Sequence, residues 1–335
     1  MVNTTQIAVV GAGAWGTALS RLLCNKDIPV ALWDPFVENI ERLAETGEHP
    51  HLPGAKLPKK WRLCRSAEEA LDASGVVLLA VASHGVRPVC DAIEPLIRSD
   101  TIIVSCAKGL EDGTRMRMSE VIGDVLGRRF RLAALSGPSH AEEVALDLPT
   151  AVTVSSTDET VAQQAQDLLM TPRFRVYTSA DLIGVELGGA LKNVIAIAAG
   201  VVNGLGFGDN TKAGLITRGL AEITRLAVAM GARPETLAGL SGLGDLVVTC
   251  TSKLSRNWRF GNLIGRGGTS DDALAEINQT VEGIKTTWSA YELSRSFDVE
   301  MPITSDMHAV LFEGKLPGQA VRDLMGRERK AEVWG

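Results

Sequence analysis

Residues 7–10 read Ile-Ala-Val-Val, and the chain passes at once into Gly11-Ala12-Gly13-Ala14-Trp15-Gly16 and a helical stretch at 16–25. Few sequence features limit a fold as tightly. A glycine at the first position permits a tight turn from strand to helix. One at the second lets the backbone approach a pyrophosphate, and one at the third lets helix and strand pack closely. The helix start then offers unpaired N–H groups and the positive end of its dipole to an anion. An ordinary glycine turn is the plain alternative. The motif stands directly after the first strand, inside a strand–helix–strand unit of about 30 residues. That context points to a dinucleotide held at Gly11, Gly13 and Gly16. Asp34 ends the next apolar run, where a carboxylate can accept from the adenosine ribose hydroxyls and repel a 2′-phosphate. NAD is therefore expected over NADP. Asp34-Pro35 fits equally well the start of a helix, as cap and first-turn proline.

The rest of the chain divides near residue 180. Before it, short β-rich runs at 7–10, 30–33, 76–81, 101–105, 132–135, 151–154 and 174–177 alternate with helical segments at 16–25, 85–97, 115–126 and 159–169. Such an alternation predicts an α/β domain of the Rossmann type, a doubly wound parallel sheet covered on both faces. Beyond it, segments 182–202, 213–230 and 271–297 carry helical periodicity. Residues 1–180 are thus expected to form a dinucleotide-binding domain, and residues 181–335 an all-α domain.

Within 184–204, Lys192 sits on a helical face beside Gly188, Gly189, Ile195 and Ala196. A helical lysine is usually a solvated surface charge. Against apolar surface its charged form is disfavoured, which tunes it toward general base chemistry near neutral pH. Asp245, Thr249 and Thr251 close a glycine-rich apolar stretch, and Ser255-Arg256-Asn257 offers a hydroxyl, a guanidinium and an amide suited to phosphate oxygens. A surface turn with Ser255 as a helix cap explains that triplet as well. Lys108 follows the run at 101–105, at the carboxyl edge of a parallel sheet. His140 has no acidic partner in sequence and reads as a packing histidine. His49 and His51 form an H-x-H with no cysteine or acidic set nearby, so no metal is assigned.

Composition narrows the partners. The 335-residue chain is 45% hydrophobic and 22% charged, enough for a core, and a net charge of −6 with no basic face argues against nucleic acid. Five cysteines, an odd number without paired spacing, suit a reducing, cytoplasmic compartment. No apolar run of membrane-spanning length is visible, and the first residues lack the basic start of a signal peptide. Of the 34 glycines, 17 fall in 184–268, around Lys192, Asp245 and Ser255, where they would admit close backbone approach.

Taken together, GAGAWGTAL (11–19), AKGLE (107–111), SGPSHAEEVA (136–145), GVELGGALKNVIAIAAG (184–200), GLGDLVVTCT (242–251), SRNWRFG (255–261) and VEG (281–283) make the chain resemble bacterial NAD(P)-dependent glycerol-3-phosphate dehydrogenase. The resemblance implies reversible reduction of dihydroxyacetone phosphate to sn-glycerol 3-phosphate, a phospholipid precursor, by a protein that is usually a homodimer. It implies Lys192 as the proton acceptor in the oxidative direction. Substrate contacts would come from Lys108, Gly137, Ser139, Asp245, Ser255, Arg256 and Asn257. Cofactor contacts would come from Ala14, Trp15, Lys108, Ala141, Arg256, Thr280 and Glu282. Four positions depart from the family pattern: Ala14 replaces a common Ser, His140 a Phe and Thr280 a Val, while Asp34 stands where many members carry His or Arg. The last departure agrees with the preference for NAD read from Asp34. Two rivals remain: another dehydrogenase of the same architecture acting on a phosphorylated or carboxylated hydroxy-compound, and a catalytically silent NAD sensor.

Overall fold

The computed structural model describes residues 6–127, 131–329 and 331–332. Eight strands make one sheet: β1 (Ile7–Val10), β2 (Val30–Trp33), β3 (Arg62–Leu63), β4 (Val76–Leu79), β5 (Ile102–Ser105), β6 (Arg131–Ser136), β7 (Thr150–Ser155) and β8 (Phe174–Ser179). Their order across the sheet is β3-β2-β1-β4-β5-β6-β7-β8. Successive residues of a strand face opposite ways, and both faces here are apolar. Ile7 and Val9 enter one core with Leu19, Leu23 and Leu32. Ala8 and Val10 enter another with Val86, Val89 and Ile93. Two covered faces demand uninterrupted apolar strands, which is why the runs are legible in sequence. Each large side chain so buried contributes about 1.5–3 kcal/mol.

The expected parallel sheet needs one correction. Every pairing from β3 to β6, and β7 with β8, is parallel, but β6 and β7 run antiparallel. Their connection holds one five-residue helix, Ala141–Ala145, too short to pack along the sheet as a crossover. Gly137 starts the return at φ +133, where a Cβ would lie 2.9 Å from Val152 Cα. Two-residue β3 and the five-residue helices Ala67–Leu71 and Ala141–Ala145 escaped the sequence reading, being short, while the helix foreseen after Asp34-Pro35 is Val37–Thr46. The helix expected over 115–126 starts only at Met118, because Arg115 is left-handed (φ 63) and Arg117, extended at the cap position, donates its N–H to Glu120 Oε2 at 2.8 Å. That expected over 271–297 is two helices, Ser270–Ile277 and Glu282–Ser296, parted by Asn278 at φ 48.

Strands end at Ser179, but the compact units divide elsewhere: Met1–Ala190 with Ala227–Asp245, and Leu191–Leu226 with Leu246–Gly335. Helix Leu182–Gly204 contributes to both. It is apolar enough over an 18-residue window to span a membrane, with a mean hydropathy of 1.6, yet 94% of that window is buried in the protein, as befits a core helix. In the second unit this helix crosses helix Arg256–Gly265 through glycines on both sides. A Cβ on Gly261 would lie 2.8 Å from Ile197 C, and one on Gly204 would lie 2.9 Å from Gly265 Cα. Part of the glycine excess in 184–268 therefore serves helix packing. Glu222, on helix Asp209–Ala229, closes the same unit by accepting from Ile303 N (2.7 Å) and Thr304 N (3.2 Å) at the start of helix Pro302–Phe312. Burial pushes its carboxyl up to about 7.

Candidate functional site

In the first unit the glycine loop joins β1 to helix Ala14–Asn25, next to β4, where the strand order reverses. Gly11 has φ +108, and a Cβ there would lie 2.8 Å from the backbone of Ala80; one on Gly16 would run into Gly11 O. Gly13 is different. It is exposed, caps the helix without any side-chain hydrogen bond, and has nothing within 4 Å of where its Cβ would be. Two glycines are thus required by packing and the third keeps space open before the N–H groups of a 12-residue helix. That open cradle fits the pyrophosphate of a nicotinamide dinucleotide. Ala14 and Trp15, both half-buried, form the first turn.

Asp34 is 6% exposed. Its Oδ2 accepts from Ala12 N at 2.6 Å, and its Oδ1 from Phe36 N at 2.9 Å and Asn39 Nδ2 at 3.0 Å. The carboxylate therefore ties the glycine loop to the next helix. It is not that helix's cap: helix Val37–Thr46 is capped by Phe36, and Pro35 lies outside it. Of about four acceptor positions on a carboxylate, three are used inside the chain.

The first unit also gathers Lys108, Gly137 and Asp245. Lys108 Nζ donates to Asp245 Oδ2 and to Gly137 O, both at 2.8 Å. The Asp245 side chain is 1% exposed and that of Lys108 20%, so the ion pair is largely withdrawn from water. Asp245 follows a π-helical turn, Leu240–Gly244. Ser139 Oγ donates to the same Gly137 carbonyl at 3.0 Å. Ala141, half-buried, opens helix Ala141–Ala145, with His140 at its cap position.

In the second unit Lys192 is 6% exposed and its Nζ donates to Thr249 Oγ1 at 2.8 Å. The solvated-lysine reading is excluded. Asn193, the next residue, accepts through Oδ1 from Asn257 Nδ2 at 2.9 Å, while Asn257 Oδ1 accepts from Gly283 N at 2.9 Å. Asn257 is thus largely taken up in joining three helices, with one N–H beyond the bond to Asn193. Ser255 is the cap of helix Arg256–Gly265, its Oγ accepting from Trp258 N at 3.2 Å. Arg256, exposed, begins that helix; Glu282, half-buried, begins helix Glu282–Ser296, and Thr280 is exposed just before it. The sequence reading missed Asn193, whose partner lies 64 residues away, and singled out Thr249 without seeing that it holds the lysine. Among the described residues no group of three or more His, Cys, Asp and Glu could hold a metal ion.

Two family models cover the chain: NAD-dependent glycerol-3-phosphate dehydrogenase N-terminus over residues 6–162, and its C-terminus over residues 181–322. The chain belongs to the NAD-dependent glycerol-3-phosphate dehydrogenase family. Among its relatives, the glycerol-3-phosphate dehydrogenase [NAD(P)+] of Pelotomaculum thermopropionicum is 49% identical over 331 residues, 98% of this chain and 95% of that protein. The Shouchella clausii protein of the same name is 48% identical over 98% of both. The crystal structure of glycerol-3-phosphate dehydrogenase from Coxiella burnetii matches with a TM-score of 0.93 at 39% identity, covering 97% of this chain and 99% of that one.

Proposed function

We propose that this chain interconverts dihydroxyacetone phosphate and sn-glycerol 3-phosphate with NAD or NADP. The observation that carries the reading is Lys192: a lysine 6% exposed, held at Nζ by Thr249, in a family of glycerol-3-phosphate dehydrogenases. Lysine is almost never so buried without a task or a partner, and a carbonyl reduction needs a proton donor at the oxygen.

When bound, the nicotinamide supplies or accepts the hydride. The loop at 11–16 and the start of helix Ala14–Asn25 hold the pyrophosphate, with Trp15, Ala141, Thr280 and Glu282 as further cofactor contacts. Lys192 gives its proton to the substrate carbonyl oxygen in reduction and takes it back in oxidation. Thr249 fixes the direction of Nζ. Lys108, set by Asp245 and Gly137, orients the substrate oxygens. Arg256 holds the phosphate, with the remaining Asn257 N–H beside it, while Ser255 shapes the turn. General acid–base help of this kind is worth about 10²–10⁴ in rate.

Asp34 retains room for at most one ribose hydroxyl, but its charge still disfavours a 2′-phosphate, which supports NAD over NADP. The product suits phospholipid assembly in the cytoplasm by a homodimer; five free cysteines, four of them buried, support a reducing compartment. The test is oxidation of NADH with dihydroxyacetone phosphate beside unphosphorylated dihydroxyacetone. Turnover that requires the phosphate is expected. Equal turnover of both would overturn the assignment of substrate, and none with either would overturn the activity.

A further inference from the structure

Lys108 and Asp245 reach their ion pair from separate segments of the first unit, and both segments rest on two adjacent residues of helix Leu182–Gly204. Gly188 faces the π-helical turn that leads into Asp245. A Cβ on it would lie 2.6 Å from Ser241 O and 3.2 Å from Gly242 Cα. Gly189 faces the lysine. A Cβ there would lie 2.5 Å from Ser136 Oγ, 3.5 Å from Ser136 Cβ and 3.6 Å from Lys108 Cγ. The two sides also meet at Gly244, whose Cβ would touch Pro138 Cδ at 3.5 Å.

Ser136 ends β6, immediately before the Gly137 carbonyl that accepts from Lys108 Nζ. It is 4% exposed, and its Oγ has no hydrogen-bond partner among the described residues. Buried hydroxyls are normally paired. Ser155 and Ser156, at the end of β7, donate to Ser179 O at 2.9 Å and Leu132 O at 2.6 Å. The Ser136 hydroxyl instead fills the notch at Gly189. Glycine within a helix is less favourable than alanine, so two in succession weaken the helix they stand in. In return they give it a flat seat, on which the carriers of both charges are set.

We propose that Gly188 and Gly189 are positioning residues for the substrate: by leaving out two side chains they fix how deep Asp245 and Lys108 sit, and hence where the Lys108 ammonium lies. The assignment rests on the reading of Lys108 as the group that orients the substrate oxygens. A glycine pair that only let the helix pack would affect melting and leave substrate kinetics untouched in the folded protein.

The geometry predicts a specific suppressor. In Gly189→Ala the new methyl collides with Ser136 Oγ, whereas in Gly189→Ala/Ser136→Ala it meets only Ser136 Cβ, at ordinary contact distance. In Gly188→Ala the collision is with backbone, which Ser136→Ala cannot relieve. Steady-state kinetics, NADH titrations and melting curves on the same samples provide the readout. Gly189→Ala is expected to lower kcat/KM for dihydroxyacetone phosphate about tenfold, as a displaced orienting group does, with NADH affinity within about twofold of wild type. The double variant is expected to return to within about threefold of wild type, a coupling that independent sites do not show. Gly188→Ala is expected to lose as much and to gain nothing from Ser136→Ala. A Gly189→Ala enzyme with unchanged kcat/KM, or a loss that Ser136→Ala leaves in place, would overturn the proposal. So would losses that only track the fraction unfolded in the melting curves. Lys108→Met, run beside them, checks the reading underneath: unchanged kinetics there would overturn the role of Lys108 itself.

Discussion

The glycine loop of the first unit and the lysine cluster of the second, proposed as the cofactor's cradle and the seat of the proton donor, are built in opposite ways. The loop works through backbone. Gly11 and Gly16 are fixed by the space they leave, Gly13 keeps the cradle open, and Asp34 serves from below by binding Ala12 N. The cluster works through side chains. Lys192 is held by Thr249 across 57 residues of sequence, and Asn257 links Asn193 to Gly283. A backbone cradle tolerates change in the side chains around it but not in its glycines. A side-chain cluster depends on each partner individually. The first suits a cofactor bound at its phosphates, the second a step in which one proton must move.

That contrast can be broken most sharply at Lys192. Lys192→Ala should lower kcat for dihydroxyacetone phosphate by at least about 10²; a kcat retained within tenfold would remove the lysine from the mechanism. Arg256→Ala should raise KM for the same substrate about tenfold to a hundredfold, the worth of charge-assisted bonds to phosphate. A substrate KM left unchanged would refute the phosphate clamp. On the cofactor side, kcat/KM should favour NADH over NADPH by about tenfold or more because of Asp34. A tenfold preference for NADPH would contradict that role.

The smallest effect concerns stability, and it belongs to the second unit. Glu222 has a folded pKa of about 7, raised by burial from 4.5. The folded state therefore binds the extra proton between those values. The stabilisation from this group is complete below about pH 4.5 and declines as pH rises through about 7. Urea melts at pH 5.5 and 8 should show a loss on going to the higher pH that Glu222→Gln diminishes, on the order of 1–3 kcal/mol. An unchanged pH slope in the variant would show that the carboxylate is already ionised when folded.

How much of this was legible in sequence follows the same divide. The loop at 11–16 could be read because the spacing of its three glycines directly after a strand is itself the signal, although the residue that makes Gly11 necessary, Ala80, lies far along the chain and Gly13 meets nothing within 4 Å. The apolar strands could be read because both faces are covered. The direction of β7 could not, since alternation of side chains is the same in parallel and antiparallel strands. Nor could the duties of Asn193, Asn257 and Glu222, whose partners lie 64, 26 and 81 residues off. Ser255 shows both sides: its capping role was visible in the helix-start pattern, and the structure bears it out. Asp34 was legible as a carboxylate at the right strand end, whereas its grip on Ala12 N needed the fold.

The division of labour between the two regions is tested most directly by the NADH dissociation constant of Lys192→Ala. With the backbone cradle intact, the variant should bind NADH within about twofold of wild type while its turnover collapses. An NADH affinity that fell in step with kcat would contradict the account, because the lysine cluster would then be part of the cofactor's own binding site.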